Sequence, residues 1–291
     1  MGSSALGAIA ALDAWAAKAN AVREKAGDGP SAMPTVFIGH GSPMNAVRDN
    51  SFTRFLRSFA GTVPRPTAVA VVSAHWLTDG VTAAGVQTRP RTIHDFGGFP
   101  RELHGVQYAA PGAPELARAA AGLVRNGARP GMPTEAWGLD HGAWTVLRHL
   151  YPKADIPVFQ ISIDYPKPAP FHYAVGQQLR ALRSRGVLVL GSGNIVHNLG
   201  AMDRGAADGP ATRDWARSFD DAVALALSQR NDGALQRYEQ LDTSARTAVP
   251  TPDHYWPLLY VLGAAKPDEK AVTVFEGFQS GTLGMRCVKF G

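Results

Sequence analysis

Short runs of consecutive apolar residues alternate along the chain with longer stretches in which apolar positions recur every three or four residues. The runs predict strands over 35–38, 68–73, 81–86, 158–163, 187–190 and 272–278. The periodic stretches predict helices over 52–60, 113–126, 143–150, 170–184, 212–228 and 254–264. The strand candidates are apolar throughout instead of alternating with polar residues, as strands buried on both faces are. Strands interleaved with helices specify an α/β fold. The expectation is a single domain with a central, largely parallel or mixed sheet covered by helices on both faces. No fixed-period repeat or low-complexity linker divides residues 31–291, and residues 1–30 form an Ala-rich extension that ends at Gly27-Asp28-Gly29-Pro30.

In such sheets, ligands bind outside the carboxyl ends of the strands, so the residues that follow each strand matter most. "TVFIGH" ends on His40 and "AVAVVSAHW" on His75. "VLVLGSGNIVHN" places His197 beyond a Gly-Ser-Gly turn, and "VPTPDHYWPLLYVL" places His254 at a helix start. Neutral imidazoles suit zinc, copper, iron and nickel, and three of them leave positions open for chemistry. A single histidine after a strand is most often structural, but four at one rim of one sheet point to a histidine-ligated metalloenzyme. Other chemistries lack their patterns. Neither "GHGSP" nor "LGSGN" is a nucleophile elbow, and no H-E-x-x-H or G-x-G-x-x-G occurs. "GSGN" after a strand could seat a phosphate, but no Walker lysine follows it.

Composition narrows the picture further. With 291 residues, 45% hydrophobic and 18% charged, the chain is that of a folded globular protein able to enclose a dry pocket. A net charge of +5 invites a nucleic-acid reading, but the arginines are scattered and no basic helix is interleaved with aromatics, so no nucleic-acid partner is expected. The excess charge equally suits an anionic small molecule. The single cysteine, Cys287, excludes an internal disulfide and a thiolate metal cluster. The apolar stretch over 6–17 is too short to span a bilayer and has no basic segment before it. An N-terminal helix packed on a cytoplasmic protein is the favoured reading, with a clipped signal of an exported protein as the alternative.

"GHGSPMN", "SAHW", "TIHDFGGFP", "YAAPGAPELA", "LDHGAW", "GSGNIVHNL" and "PDHYWPLLYVLGAA" together resemble the class III extradiol ring-cleaving dioxygenases, related to protocatechuate 4,5-dioxygenase β-subunits. The likeness is greatest to the 4,5-DOPA dioxygenase extradiol branch and runs in order from about residue 35 to 290. It implies a non-haem Fe(II) enzyme that uses O₂ to open a substituted, DOPA-like catechol beside its diol, giving a muconate semialdehyde. It also implies that His40, His75 and His254 hold the metal and that His197 is the acid/base residue. Zn(II) often occupies such sites, where His197 could instead complete the coordination sphere as a fourth ligand. His254 stands where protocatechuate-cleaving relatives carry a glutamate, a departure typical of the DOPA branch.

The resemblance further implies a pocket-lining, substrate-binding role for His141 in "LDHGAW", beside its plain reading as a helix-entry residue with Asp140 as cap. His94, Phe96, Gly97, Gly98 and Phe99 would form either an aromatic lip over the site or a surface turn. Asp253 would orient a ligand or cap the following helix. A zinc hydrolase and a non-catalytic metal-binding protein of the same fold stay open as alternatives. So does assembly into a homo-oligomer.

Overall fold

The computed structural model describes residues 32–291, apart from 128, 204, 207, 210 and 211, together with 7, 10 and 12–14. Most of the N-terminal extension thus lies outside the described residues. Of its described part, Leu12 is buried and Asp13 pairs with Arg185.

Eight strands form one sheet: β1 (Thr35–Gly39), β2 (Ala68–Thr78), β3 (Ala83–Gly85), β4 (Met132–Thr134), β5 (Val158–Asp164), β6 (Val187–Gly193), β7 (Ala271–Phe275) and β8 (Cys287–Phe290). Their spatial order is β4-β3-β5-β2-β6-β1-β8-β7. The central four, β5, β2, β6 and β1, are mutually parallel. Antiparallel partners flank them, β3 beside β5 and β8 beside β1. The sheet is therefore mixed around a parallel centre.

The uninterrupted apolar runs have a simple cause. Successive side chains of a strand point to opposite faces, and both faces are covered. Phe37, Ala70, Val72 and Val189 join one hydrophobic cluster with residues of the helices α2 (Pro114–Leu123), α4 (Ala169–Leu179), α5 (Asp214–Ser228) and α6 (Trp256–Ala264). Val36, Ile38, Val71 and Leu190 join a second with α1 (Ser51–Phe59) and α3 (His141–Leu150). The helix α6 is buried at every position because it lies against the middle of the sheet. No helix of the described residues is long and apolar enough to cross a membrane.

Two differences from the sequence expectation bear on the site. The second strand does not stop at Ser73. It runs on to Thr78 through a register shift between Val72 and Leu77, so His75 lies in an irregularity of the strand. Such bulges re-aim side chains beside active sites. The run over 272–278 also breaks into β7 and a separate two-residue strand, Phe278–Gln279, around Gly277 at φ +146°.

The core contains a titratable group unrelated to the strand-end histidines. His172 is fully buried, stacked on Trp256 at 4.2 Å, and Nε2 donates to the Lys167 carbonyl at 3.0 Å while Nδ1 faces the Tyr260 hydroxyl at 3.1 Å. Burial takes its pKa down from 6.5 to about 4. A histidine held neutral by folding contributes stability that is complete above its unfolded pKa and disappears as pH falls through the folded one. Between pH 7 and pH 4 the native protein is expected to lose about 3 kcal/mol more unfolding free energy than His172→Gln. Denaturant titrations at several pH values check this, and parallel curves would contradict it.

Candidate active site

The strand ends converge because the end of β6 is tied to two other segments. Its last residue, Gly193, accepts from the His40 backbone N–H at 3.0 Å, and Asn194 N–H donates to the His254 carbonyl at 2.8 Å. A side chain on Gly193 would run into that carbonyl, so only glycine permits the approach. After His40, Gly41 turns at φ +62° against Gln279 and Met285. Gln279 Oε1 accepts from Ser42 N–H and Asn45 Nδ2, each at 3.0 Å, and Asn45 Nδ2 also donates to the His40 carbonyl at 2.9 Å. On the other side, fully buried Asp140 caps α3 by accepting from Ala143 N–H, and also accepts from Ser73 Oγ at 2.6 Å and Gln160 Nε2 at 2.7 Å. One carboxylate thereby fixes the strand that carries His75 to the helix that His141 opens.

Each ring then acquires a definite tautomer. The Ser192 hydroxyl donates to the Gly142 carbonyl at 2.6 Å, so it accepts from His40 Nδ1 at 3.0 Å and leaves Nε2 with its lone pair. Asp95 Oδ2 lies 3.0 Å from His141 Nδ1 and 3.4 Å from His75 Nδ1. Asp253 accepts from His254 Nδ1. The Nε2 atoms of His40, His141 and His254 are thus left as bases, the Asp95 contact favours the same tautomer in His75, and Nε2 of His254 is buried without a hydrogen-bond partner among the described residues. His40 and His75 Nε2 stand 3.3 Å apart. Donor atoms of His40, His75 and His141 all lie within 4.8 Å of one another, close enough to hold an ion. The ring of His254 lies 5.3 Å from that of His40 and 5.0 Å from that of His75, whose own rings are 5.1 Å apart.

Electrostatics keeps His40, His75 and His197 neutral. Burial first, then the neighbouring imidazoles, pushes His40 and His75 well below the ordinary histidine range. His197 is taken down to about 3, again by burial first and then by His254. Burial alone would raise Asp253, but the hydrogen bond from His254, its charge and the bonds from Thr251 and the backbone together bring the carboxyl down to about 2. Neutral imidazoles backed by carboxylates are the form that binds metals. The orphaned buried nitrogen and the convergent lone pairs fit a non-haem metal centre.

The rings open onto a cavity of about 530 Å³. His40, His75, His141, His197 and His254 supply its polar wall, while Phe96, Phe99, Leu199, Met202 and Leu283 supply much of the rest.

Residues 33–290 match the family described as the catalytic LigB subunit of aromatic ring-opening dioxygenase. The chain belongs to this LigB family. It is 44% identical to a 4,5-DOPA dioxygenase extradiol of Escherichia coli K12 over 89% of this chain and 95% of that protein. It is 36% identical to one of Beta vulgaris over 88% and 96%. A crystal structure of an uncharacterized Escherichia coli K12 protein superposes with a TM-score of 0.75 at 40% identity, covering 89% of this chain and all of that one. The LigB-family chain is therefore an oxidoreductase of the extradiol ring-opening type.

Five of the six histidines raised from the sequence of this LigB enzyme, His40, His75, His141, His197 and His254, line one cavity. His197 stacks face to face on His254, with centroids 3.4 Å apart and planes 4° apart. Phe96, Gly97, Gly98 and Phe99 also line the cavity, the lip arrangement instead of a remote turn. His94 sits behind them, with Nε2 donating to the Val106 carbonyl at 3.0 Å. Sequence reasoning missed Ser192 and Asp95. Both act across long sequence separations, and the only signal was their position inside the quoted motifs "GSGNIVHNL" and "TIHDFGGFP".

Proposed function

We propose that this LigB-family enzyme cleaves a DOPA-like substituted catechol with O₂ at Fe(II) held by His40, His75 and His254, and that His197 is its acid/base residue. The observation that carries this reading is the buried, unpartnered Nε2 of His254 beside the rings of His40 and His75. The likeness to enzymes called 4,5-DOPA dioxygenase extradiol supports the substrate class. Zn(II) can compete for the same imidazoles, since nitrogen sites do not select strongly between these ions.

When bound, the metal supplies Lewis acidity toward the catechol diol and activation of O₂. The chain's residues do the remainder. The aromatic and aliphatic wall of Phe96, Phe99, Leu199 and Leu283 packs the ring and excludes water. His141, its Nδ1 held by Asp95, presents Nε2 as a hydrogen-bond acceptor for a hydroxyl of the bound diol. His197 enters neutral, takes a catechol hydroxyl proton and later returns it as an acid. Both oxygen atoms of O₂ end in the muconate semialdehyde, so no external reductant is consumed.

Anaerobic loading with Fe(II), followed by O₂ and a panel of catechols, tests the proposal. The expected result is a yellow semialdehyde formed with one O₂ consumed per ring. Hydrolytic activity with zinc alone and no O₂ uptake would overturn it.

A further inference from the structure

Asp95 occupies an unusual place in the cluster. It lies on the loop 94–99, is 16% exposed at its side chain, and has contacts to two different histidines. Oδ1 accepts from the His141 backbone N–H at 2.9 Å and Oδ2 from His141 Nδ1 at 3.0 Å. The same Oδ2 faces His75 Nδ1 at 3.4 Å. The two rings are only 3.8 Å apart, tilted by 44°. Without an acceptor between them, neither imidazole has a defined tautomer, and one could donate to the other. With the carboxylate there, His141 Nδ1 carries the proton and leaves its Nε2 a lone pair, and the 3.4 Å contact favours the same tautomer in His75.

The next residue along the chain is part of the cavity's aromatic wall. Phe96 stands edge-on to His141 at 5.5 Å and to Phe99 at 5.3 Å. The loop enters through His94, tied to the Val106 carbonyl at 3.0 Å, and leaves through Gly97 and Gly98, the latter at φ +75°. Consecutive residues of one short loop thus carry a wall of the substrate cavity and the anion that orients two of its histidines.

We infer that Asp95 is a positioning residue that sets the tautomer and aim of His75 and His141 together, and so registers the aromatic lip to the metal-holding rings. The inference rests on the proposed reading of His75 as a ligand. Orienting carboxylates of this kind are worth about 10–100-fold in metal affinity. Asp95 is also poised to couple the two sides of the site. Displacement of Phe96 by a bound ring would be felt at His75 through a single intervening side chain.

Asp95→Asn tests the inference with little change of shape. The amide keeps one acceptor oxygen but places N–H donors where the second ring requires an acceptor. Two readouts that need no turnover decide it: Zn(II) affinity by chelator competition, and ring-nitrogen NMR shifts of His75 and His141 in the metal-free protein. Zinc affinity is expected to fall about 10–100-fold, and at least one ring should lose its single Nδ1–H tautomer. Phe96→Ala, in the same loop, should raise KM for catechol and leave zinc affinity within twofold. Affinity within twofold of wild type in Asp95→Asn would overturn the inference. So would weakened affinity with both tautomers unchanged, which would mark a merely structural loop lesion. Should Asp95→Asn fail to fold, Asp95→Glu keeps the charge one methylene farther on, and unchanged zinc affinity and tautomers there would equally overturn it. A wild-type protein that binds zinc but cleaves no catechol would defeat the proposed function and leave these readouts decisive for Asp95.

Discussion

His254→Ala is expected to strip the enzyme of its metal and abolish ring cleavage, whereas His141→Ala should keep the metal and lose only part of its turnover. Both histidines offer an Nε2 lone pair at the cavity, so the choice between them rests on finer geometry. The donors of His40, His75 and His141 are mutually within 4.8 Å. However, the rings of His40, His75 and His254 stand at nearly equal separations of 5.0–5.3 Å. His75 and His141 crowd each other at 3.8 Å, and His40 and His141 are 5.7 Å apart, a lopsided set. Most telling, His254 Nε2 is buried with no hydrogen-bond partner among the described residues, a condition that costs about 1–3 kcal/mol unless a ligand occupies it. Loss of a direct ligand should exceed the roughly 100-fold upper effect of an orienting partner. Metal analysis after dialysis, alongside ring-cleavage rates, separates the two variants. Metal retained in His254→Ala and lost in His141→Ala would make His141 the third ligand.

Much of the fold could be read from the chain because both faces of the sheet are covered. Strands such as β6, "VLVLGSG", then need apolar residues at every position, a local signal. The missed strands fail that condition. The edge strand β4 reads Met-Pro-Thr and is exposed at Met132 and Pro133, held by its neighbour β3 instead of its own pattern. The strand β8 is four residues long and interrupted by Lys289. In the site, histidines were conspicuous because a rare residue type recurs at strand ends. The groups that orient them are common residues acting at a distance. Ser192 meets His40 across 152 positions and Asp95 meets His141 across 46, pairings that only the folded chain brings about. Asp253 was visible because it adjoins His254.

His197→Ala should leave metal binding intact and lower ring-cleavage turnover by about 10²–10⁴-fold, the usual worth of a positioned acid/base. The stacking geometry carries this expectation. An imidazole donates to a metal along a lone pair in its own ring plane. The rings of His197 and His254 are parallel within 4° and 3.4 Å apart, so their lone pairs lie in separate planes and do not meet at one ion. Direct ligation by both would require one ring to turn, while the His197 main chain is fixed by its N–H bond to the Ala248 carbonyl at 2.9 Å and its bridge to Leu283. The ring is neutral and half-buried in the cavity wall, a setting compatible with the proposed role as base. Turnover compared at matched iron content decides the matter. If His197→Ala loses metal in proportion to activity, His197 belongs to the coordination sphere; if turnover stays near wild type, another group moves the proton.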